Sequence, residues 1–159
     1  MAPKPKTIER LYDVTQAELW ALWTTKRGLE AWWGPGGHSV EVLSLDLQPG
    51  GELRYTLTAT AADLVAATVK AGKPLSTERS IRFTDVTPPR LLAFVTRIDT
   101  VAGVEPYDTT TKVEFGSDRG AIKMTLTVGE MHDENAVQRA VEARTTEVLK
   151  LTRYLRESR

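Results

Sequence analysis

The chain predicts an α+β fold in which a curved antiparallel β-sheet wraps around a long C-terminal helix, with two short helices after the first strand. Three observations predict it. Apolar residues alternate with polar ones, period two, in segments separated by turn residues from Val40 to Val128. Thr15 and Glu18 form a capping box ahead of Leu19-Trp20-Ala21-Leu22-Trp23. The last stretch, from about Glu134 to Arg156, repeats its apolar residues at spacings of 3 and 4, as a helix lying on a sheet does.

Each element follows in order. Thr7 to Asp13 alternates Ile8, Arg10 and Tyr12 against Glu9, Leu11 and Asp13 and reads as the opening strand. After the first helix, a second from about Arg27 to Trp33 stops at Gly34-Pro35-Gly36-Gly37, where a missing donor and free φ angles break it. Val40 and Val42 start a strand that turns at Pro49-Gly50-Gly51 into Leu53, Tyr55 and Leu57. Ala59 to Thr77 is an elaborated connection whose alanine-rich part, up to Lys70, reads as a marginal surface helix. Strands follow at Ser80–Val86, Leu91–Asp99, Thr109–Phe115 and Ala121–Val128, joined by Pro88-Pro89 and by Gly116-Ser117-Asp118-Arg119-Gly120. Asp133 caps the final helix, whose stripe is Val137, Val141, Val148, Leu151 and Leu155 with Ala140 beside it; Arg144 falls on the same stripe. The organisation is a flexible N-terminus, 1–6, and one domain, 7–156.

Composition excludes several classes. The 159 residues carry 21 basic and 21 acidic side chains, so no global field draws nucleic acid or an anionic membrane. Cysteine is absent, which removes disulfides, thiolate nucleophiles and thiolate metal sites. No segment approaches the roughly 20 apolar residues that span a bilayer, and no signal-peptide core follows the basic start; a cytoplasmic protein is expected. The two histidines, His38 and His132, have no metal-ligand spacing, and the phosphate-loop, dinucleotide and GxSxG patterns are missing. No metal and no cofactor are implied.

The order of elements, with Trp32-Trp33-Gly34-Pro35 and Pro49-Gly50-Gly51, resembles the SRPBCC (START-like, helix-grip) superfamily. Within it the chain is similar to bacterial proteins like the C-terminal domain of the activator of heat-shock-protein-90 ATPase, also labelled polyketide-cyclase-like. The resemblance covers Thr7 to Leu155. Gly103-Val104-Glu105-Pro106-Tyr107 and Met131-His132-Asp133-Glu134 narrow it to a subgroup with a longer middle insertion. It implies a helix-grip fold with a cavity between sheet and last helix, and hydrophobic or aromatic ligands. Where the family's last helix commonly reads Gly-Trp, this chain has Ala143-Arg144.

The expected site is that cavity, walled by Trp23, Trp32 and Trp33 and by the inward positions Tyr55, Phe83, Phe94, Val113, Met124 and Leu126, which also read simply as core. Its polar end is Arg144, Glu105 or Tyr107. A guanidinium on an apolar stripe must find a partner, because a buried unpaired charge is very costly. It either pairs with an internal acid such as Glu105 or anchors an anionic ligand. Three functions stay open: binding of a small hydrophobic ligand, an interaction module for a chaperone-like partner, and a cyclase or lyase in which His132 or Glu105 moves a proton. A homodimer stays open as well; nucleic acid and membrane are not expected partners.

Overall fold

A computed structural model describes residues 6–158. They form β1 (Lys6–Tyr12), α1 (Gln16–Thr24), α2 (Lys26–Trp32), β2 (His38–Leu45), β3 (Glu52–Ala59), α3 (Ala62–Lys70), β4 (Ser76–Thr87), β5 (Leu91–Ile98), β6 (Tyr107–Asp118), β7 (Ala121–Val128) and α4 (Glu134–Glu157). The sheet is antiparallel with strand order β1-β7-β6-β5-β4-β3-β2. The first strand thus closes the sheet beside the last, which fits the α+β helix-grip expectation. The expected flexible N-terminus lies outside the described residues except for Lys6, which pairs with Val128 as the first residue of β1.

Local chemistry explains the helices. Thr15 Oγ1 accepts from Glu18 N–H at 3.0 Å and opens α1; Thr25 Oγ1 accepts from Gly28 N–H at 3.0 Å and opens α2. Asp133 Oδ1 accepts from Ala136 N–H at 2.7 Å and opens α4. The helix α3 has no side-chain cap and no buried residue, as a marginal surface helix should.

Curvature comes from register shifts in β2 between Val42 and Ser44 and in β4 between Phe83 and Asp85. Each extra residue bends its strand and increases its twist. The concave face carries Leu53, Phe83, Phe94, Val113, Phe115, Met124 and Leu126, all buried, against Val148, Leu151 and Leu155 of α4. The strands β4 and β6 run further than the alternation suggested. Tyr107, expected in a loop, begins β6, because its backbone pairs with Ile98 on β5.

The tryptophans belong to this interior. Trp23 and Trp32 meet edge to face at 4.7 Å between ring centroids, and Trp23 meets Phe115 at 6.4 Å. Trp32 Nε1 donates to Leu22 O at 2.8 Å, tying α2 to α1. The free edge of β2 is held by α2: Val42 N–H donates to Glu30 Oε2 at 2.8 Å, and Lys26 Nζ donates to Val42 O at 3.0 Å. An ion pair of 2.7 Å between Lys26 and Glu30 completes this side-chain substitute for a neighbouring strand.

Two outcomes test this frame. Gly28→Ala would raise helix propensity by about 1 kcal/mol, but a Cβ there meets the Ala21 carbonyl oxygen and lies 2.7 Å from Leu22 Cα. Both are backbone atoms that cannot move aside, so the variant should unfold at lower urea, losing about 1–3 kcal/mol. Glu30 is held below its usual range, first by Lys26 and then by Val42 N–H. Its contribution is complete above pH 4.5 and is lost as pH falls through the lower folded-state value. In Glu30→Gln, urea midpoints should differ from the parent most above pH 4.5 and converge steadily below it.

Candidate functional site

The apolar face of α4 changes character along its length. Val148, Leu151 and Leu155 fill the concave face, but the residues one and two turns earlier are Ala140, Ala143 and Arg144. Two alanines leave room that larger side chains take elsewhere. The result is a cavity of about 300 Å³ between α4 and the sheet. Its floor is built by alternate residues of successive strands: Tyr55 and Leu57 of β3, Arg79 and Ile81 of β4, Thr96 and Ile98 of β5, Thr109 and Thr111 of β6, and Val128 of β7. Ala140, Ala143, Arg144 and Glu147 roof it, and Pro35 and Met131 close its sides.

Arg144 does lie inside the grip. Its Nη1 donates to both carboxylate oxygens of Glu147 at 3.1 Å, and its Nη2 approaches Thr111 Oγ1 at 3.4 Å. The guanidinium carbon sits 5.4 Å from the centre of the Phe94 ring, within cation–π reach. The side chains are 17% and 7% exposed, so this is a buried pair whose charges cancel. The partner is Glu147 rather than Glu105, which is exposed and outside the cavity lining, because Glu147 is one helical turn away and shares the same face.

Tyr55 supplies the second polar group. Its ring packs on Trp33 at 4.7 Å, and its hydroxyl has no hydrogen-bond partner among the described residues. Burial pushes the phenol's pKa up; Arg144 and Arg79 oppose this and Glu147 adds to it. A neutral phenol in this position is both donor and acceptor.

The loop beside the cavity is pinned to α4. Lys150 Nζ donates to the carbonyls of Trp33 at 3.0 Å, Gly34 at 3.1 Å and His38 at 2.9 Å, which uses all three ammonium protons. Gly36 N–H donates to Thr146 Oγ1 at 3.0 Å. Burial lowers the Lys150 pKa, and Glu147 works against that.

The remaining expected site residues separate into groups. Trp23, Trp32, Phe83, Val113 and Met124 are buried core outside the cavity lining, since α1 and α2 cover the opposite end of the sheet. Trp33 and Phe94 stand behind the lining, touching Tyr55 and Arg144. Tyr107 and His132 form their own contact: Tyr107 Oη and His132 Nδ1 are 2.6 Å apart, and His132 N–H donates to the same Oη at 3.0 Å. That contact fastens the start of β6 to the approach to α4. Among the described residues no cluster of three or more His, Asp or Glu has a metal-binding arrangement. Sequence reasoning missed Glu147, Lys150, Arg79 and Thr111. The spacing of Arg144 and Glu147 was a readable signal for the first; the partners of Lys150 are backbone carbonyls more than a hundred residues away and leave none.

The family model described as Activator of Hsp90 ATPase homolog 1-like protein matches residues 13–156. No curated protein matches the chain. Solved structures of the same fold include a protein from Chromobacterium violaceum, 16% identical with TM-score 0.75, covering 96% of this chain and 97% of that one. The AHSA1 protein of Silicibacter pomeroyi is 20% identical with TM-score 0.73 over 98% of this chain and 99% of its own. A protein from Arthrobacter aurescens is 20% identical with TM-score 0.74 over 99% and 91%. At these identities the likeness is one of fold.

Arg144→Met should leave a buried carboxylate without its partner and lower stability by about 3–5 kcal/mol. Adding Glu147→Gln should restore much of the loss, whereas Glu105→Gln should change neither protein. Thermal unfolding of the four variants reads the cycle.

Proposed function

We propose that this chain, which belongs to the family of Activator of Hsp90 ATPase homolog 1-like proteins, binds a small hydrophobic or aromatic molecule in the cavity beneath α4. The observation that carries this reading is the pocket itself: about 300 Å³ held open by Ala140 and Ala143, with an uncommitted Tyr55 hydroxyl at its wall. Apolar side chains of Leu57, Ile81, Ile98, Val128 and Met131 share the lining with polar groups that can fix a ligand's orientation. The part of the ligand under α4 is uncharged. Arg144 is already balanced by Glu147, and an anion placed against the guanidinium would also face that carboxylate. Tyr55, Thr109 and Thr111 offer hydrogen bonds to a hydroxyl or carbonyl instead.

Other readings find less support. The residues expected to move a proton in a cyclase or lyase, His132 and Glu105, lie outside the cavity lining, and Nδ1 of His132 is taken by Tyr107. A chaperone-interaction module draws on the family description. The large exposed apolar side chains, however, are spread over β1, β2, α3, the segment before β4 and α4, as on an ordinary protein surface. Among the described residues no helix is long and apolar enough to cross a membrane.

N-phenyl-1-naphthylamine, an uncharged fluorescent probe, should bind one to one and accept energy from Trp33. Ala143→Phe fills the cavity and should abolish that signal while leaving the unfolding free energy from urea titration within about 1 kcal/mol of the parent. Undiminished binding in a folded Ala143→Phe protein places the probe elsewhere and removes the cavity from the function.

A further inference from the structure

A second compartment of about 270 Å³ lies where the segment after α3 passes β3 and β4, and it shares Leu57 and Arg79 with the cavity under α4. The two differ in charge. Under α4 the single buried cation is cancelled by Glu147. The outer compartment is lined by His38, Lys73 and Arg79, and by no carboxylate at all. Neither Lys73 nor Arg79 has an acidic partner within 4.0 Å among the described residues; Arg79 Nε only donates to Thr77 Oγ1 at 3.3 Å. His38 Nδ1 lies 3.2 Å from Gly36 O, so this nitrogen is the donor and Nε2 is left uncommitted. Leu57, Ala59, Pro74 and Leu75 give the same compartment an apolar wall.

We propose that the outer compartment receives an anionic group, a carboxylate, sulfonate or phosphate, borne by the same molecule whose apolar body lies under α4. This rests on the reading of that cavity as a ligand site. Charge complementarity selects the class. Uncompensated cations beside a low-dielectric wall produce a local positive potential that the neutral overall composition conceals. Arg79 stands at the junction, lining both spaces, so a group emerging from beneath α4 meets it first. The ligand is therefore a free anionic amphiphile with its charge at one end and a small ring system or short chain at the other.

A matched pair of probes tests it. 1-Anilinonaphthalene-8-sulfonate has the body of N-phenyl-1-naphthylamine with a sulfonate added. The sulfonate should bind about 3- to 10-fold more tightly in low salt, the range for a pair of partly solvated cations, and lose that advantage as salt rises. In the double variant Lys73→Met, Arg79→Met the sulfonate should fall to the affinity of the uncharged probe. Because Arg79 also lines the cavity under α4, the ratio of the two probes' affinities within that variant is the readout, and a urea unfolding curve close to the parent's shows that the variant is folded. Lys70→Met, a charge removed outside the compartment, should change neither probe. Equal affinity of both probes in the parent, or a sulfonate preference that survives the double variant, overturns the inference and leaves the cavity reading standing. If neither probe binds, the cavity reading itself fails. Sedimentation with phosphatidylglycerol vesicles that depends on Lys73 and Arg79, without any preference for the free sulfonate, overturns the assignment to a free amphiphile.

Discussion

The contact between α4 and the concave face of the sheet governs the rest of the structure. Its C-terminal half is an ordinary packing surface, in which Val148, Leu151 and Leu155 each bury enough apolar area to contribute about 1.5–3 kcal/mol. Its middle is not. There Ala140 and Ala143 take up little space, and Arg144 and Glu147 replace apolar packing with a self-compensated ion pair. A helix held by Val148, Leu151 and Leu155 toward one end and by Ala136 and Val137 at the other need not fill the groove between them. The cavity is therefore a consequence of side-chain size on one face of one helix, set against a sheet whose curvature is fixed by the shifts in β2 and β4.

That arrangement needs the adjoining loop to stay in place. After α2 the chain turns through Gly34, with φ of 93°, and Gly37, with φ of 83°, a stretch with few side chains to anchor it. Lys150 and Thr146 supply the anchor from α4. Trp33 caps α2, so its carbonyl has no helical N–H to accept from, and the ammonium meets it there together with the carbonyls of Gly34 and of His38 at the start of β2. Burial opposes the charge, which is why the Lys150 pKa falls although all its protons are bonded. The buried indole N–H groups of Trp23 and Trp33, which have no such partner, mark places where shape was kept at the expense of a hydrogen bond.

The elements were legible because their signals are local. Thr15, Thr25 and Asp133 cap helices within three residues of themselves, and period-two alternation marks strands wherever one face is buried. Strand ends were less legible: Ser76 to Arg79 and Tyr107 are drawn into the sheet by partners across it. The candidate site was half legible. Arg144 was conspicuous as a charge on an apolar stripe, and its burial follows from helix periodicity alone. The tryptophans were expected as cavity walls, but large aromatic residues signal burial without saying at which end of the concave face the empty space lies. Trp23 and Trp32 pack against each other and Trp23 also on Phe115, while Trp33 turns its ring toward Tyr55. Arg79 carried no signal, since it is an exposed arginine in a strand and only its place between the two compartments sets it apart.

Fold and chemistry separate cleanly along the chain. The positions that set the grip, capping threonines and aspartate, strand alternation and the C-terminal part of α4, are ones that any sequence of this fold must satisfy in some form. Structures 16–20% identical to this chain therefore share its architecture over nearly their full lengths. The positions that give the cavity its character are different in kind: Ala143, Arg144, Glu147, Tyr55 and Arg79 contribute little that other side chains would not supply equally well to packing. Arg144 stands where the resemblance leads one to expect an indole, and its burial is tolerated only because Glu147 is there to neutralise it. Charge at the inner end is thereby cancelled and charge at the outer end is left uncompensated, so the polarity of the site runs from the roof beneath α4 toward Arg79. That gradient is set by side chains, Glu147 beside Arg144 and, among the described residues, no acid lining the outer compartment beside Arg79, and not by the path of the backbone.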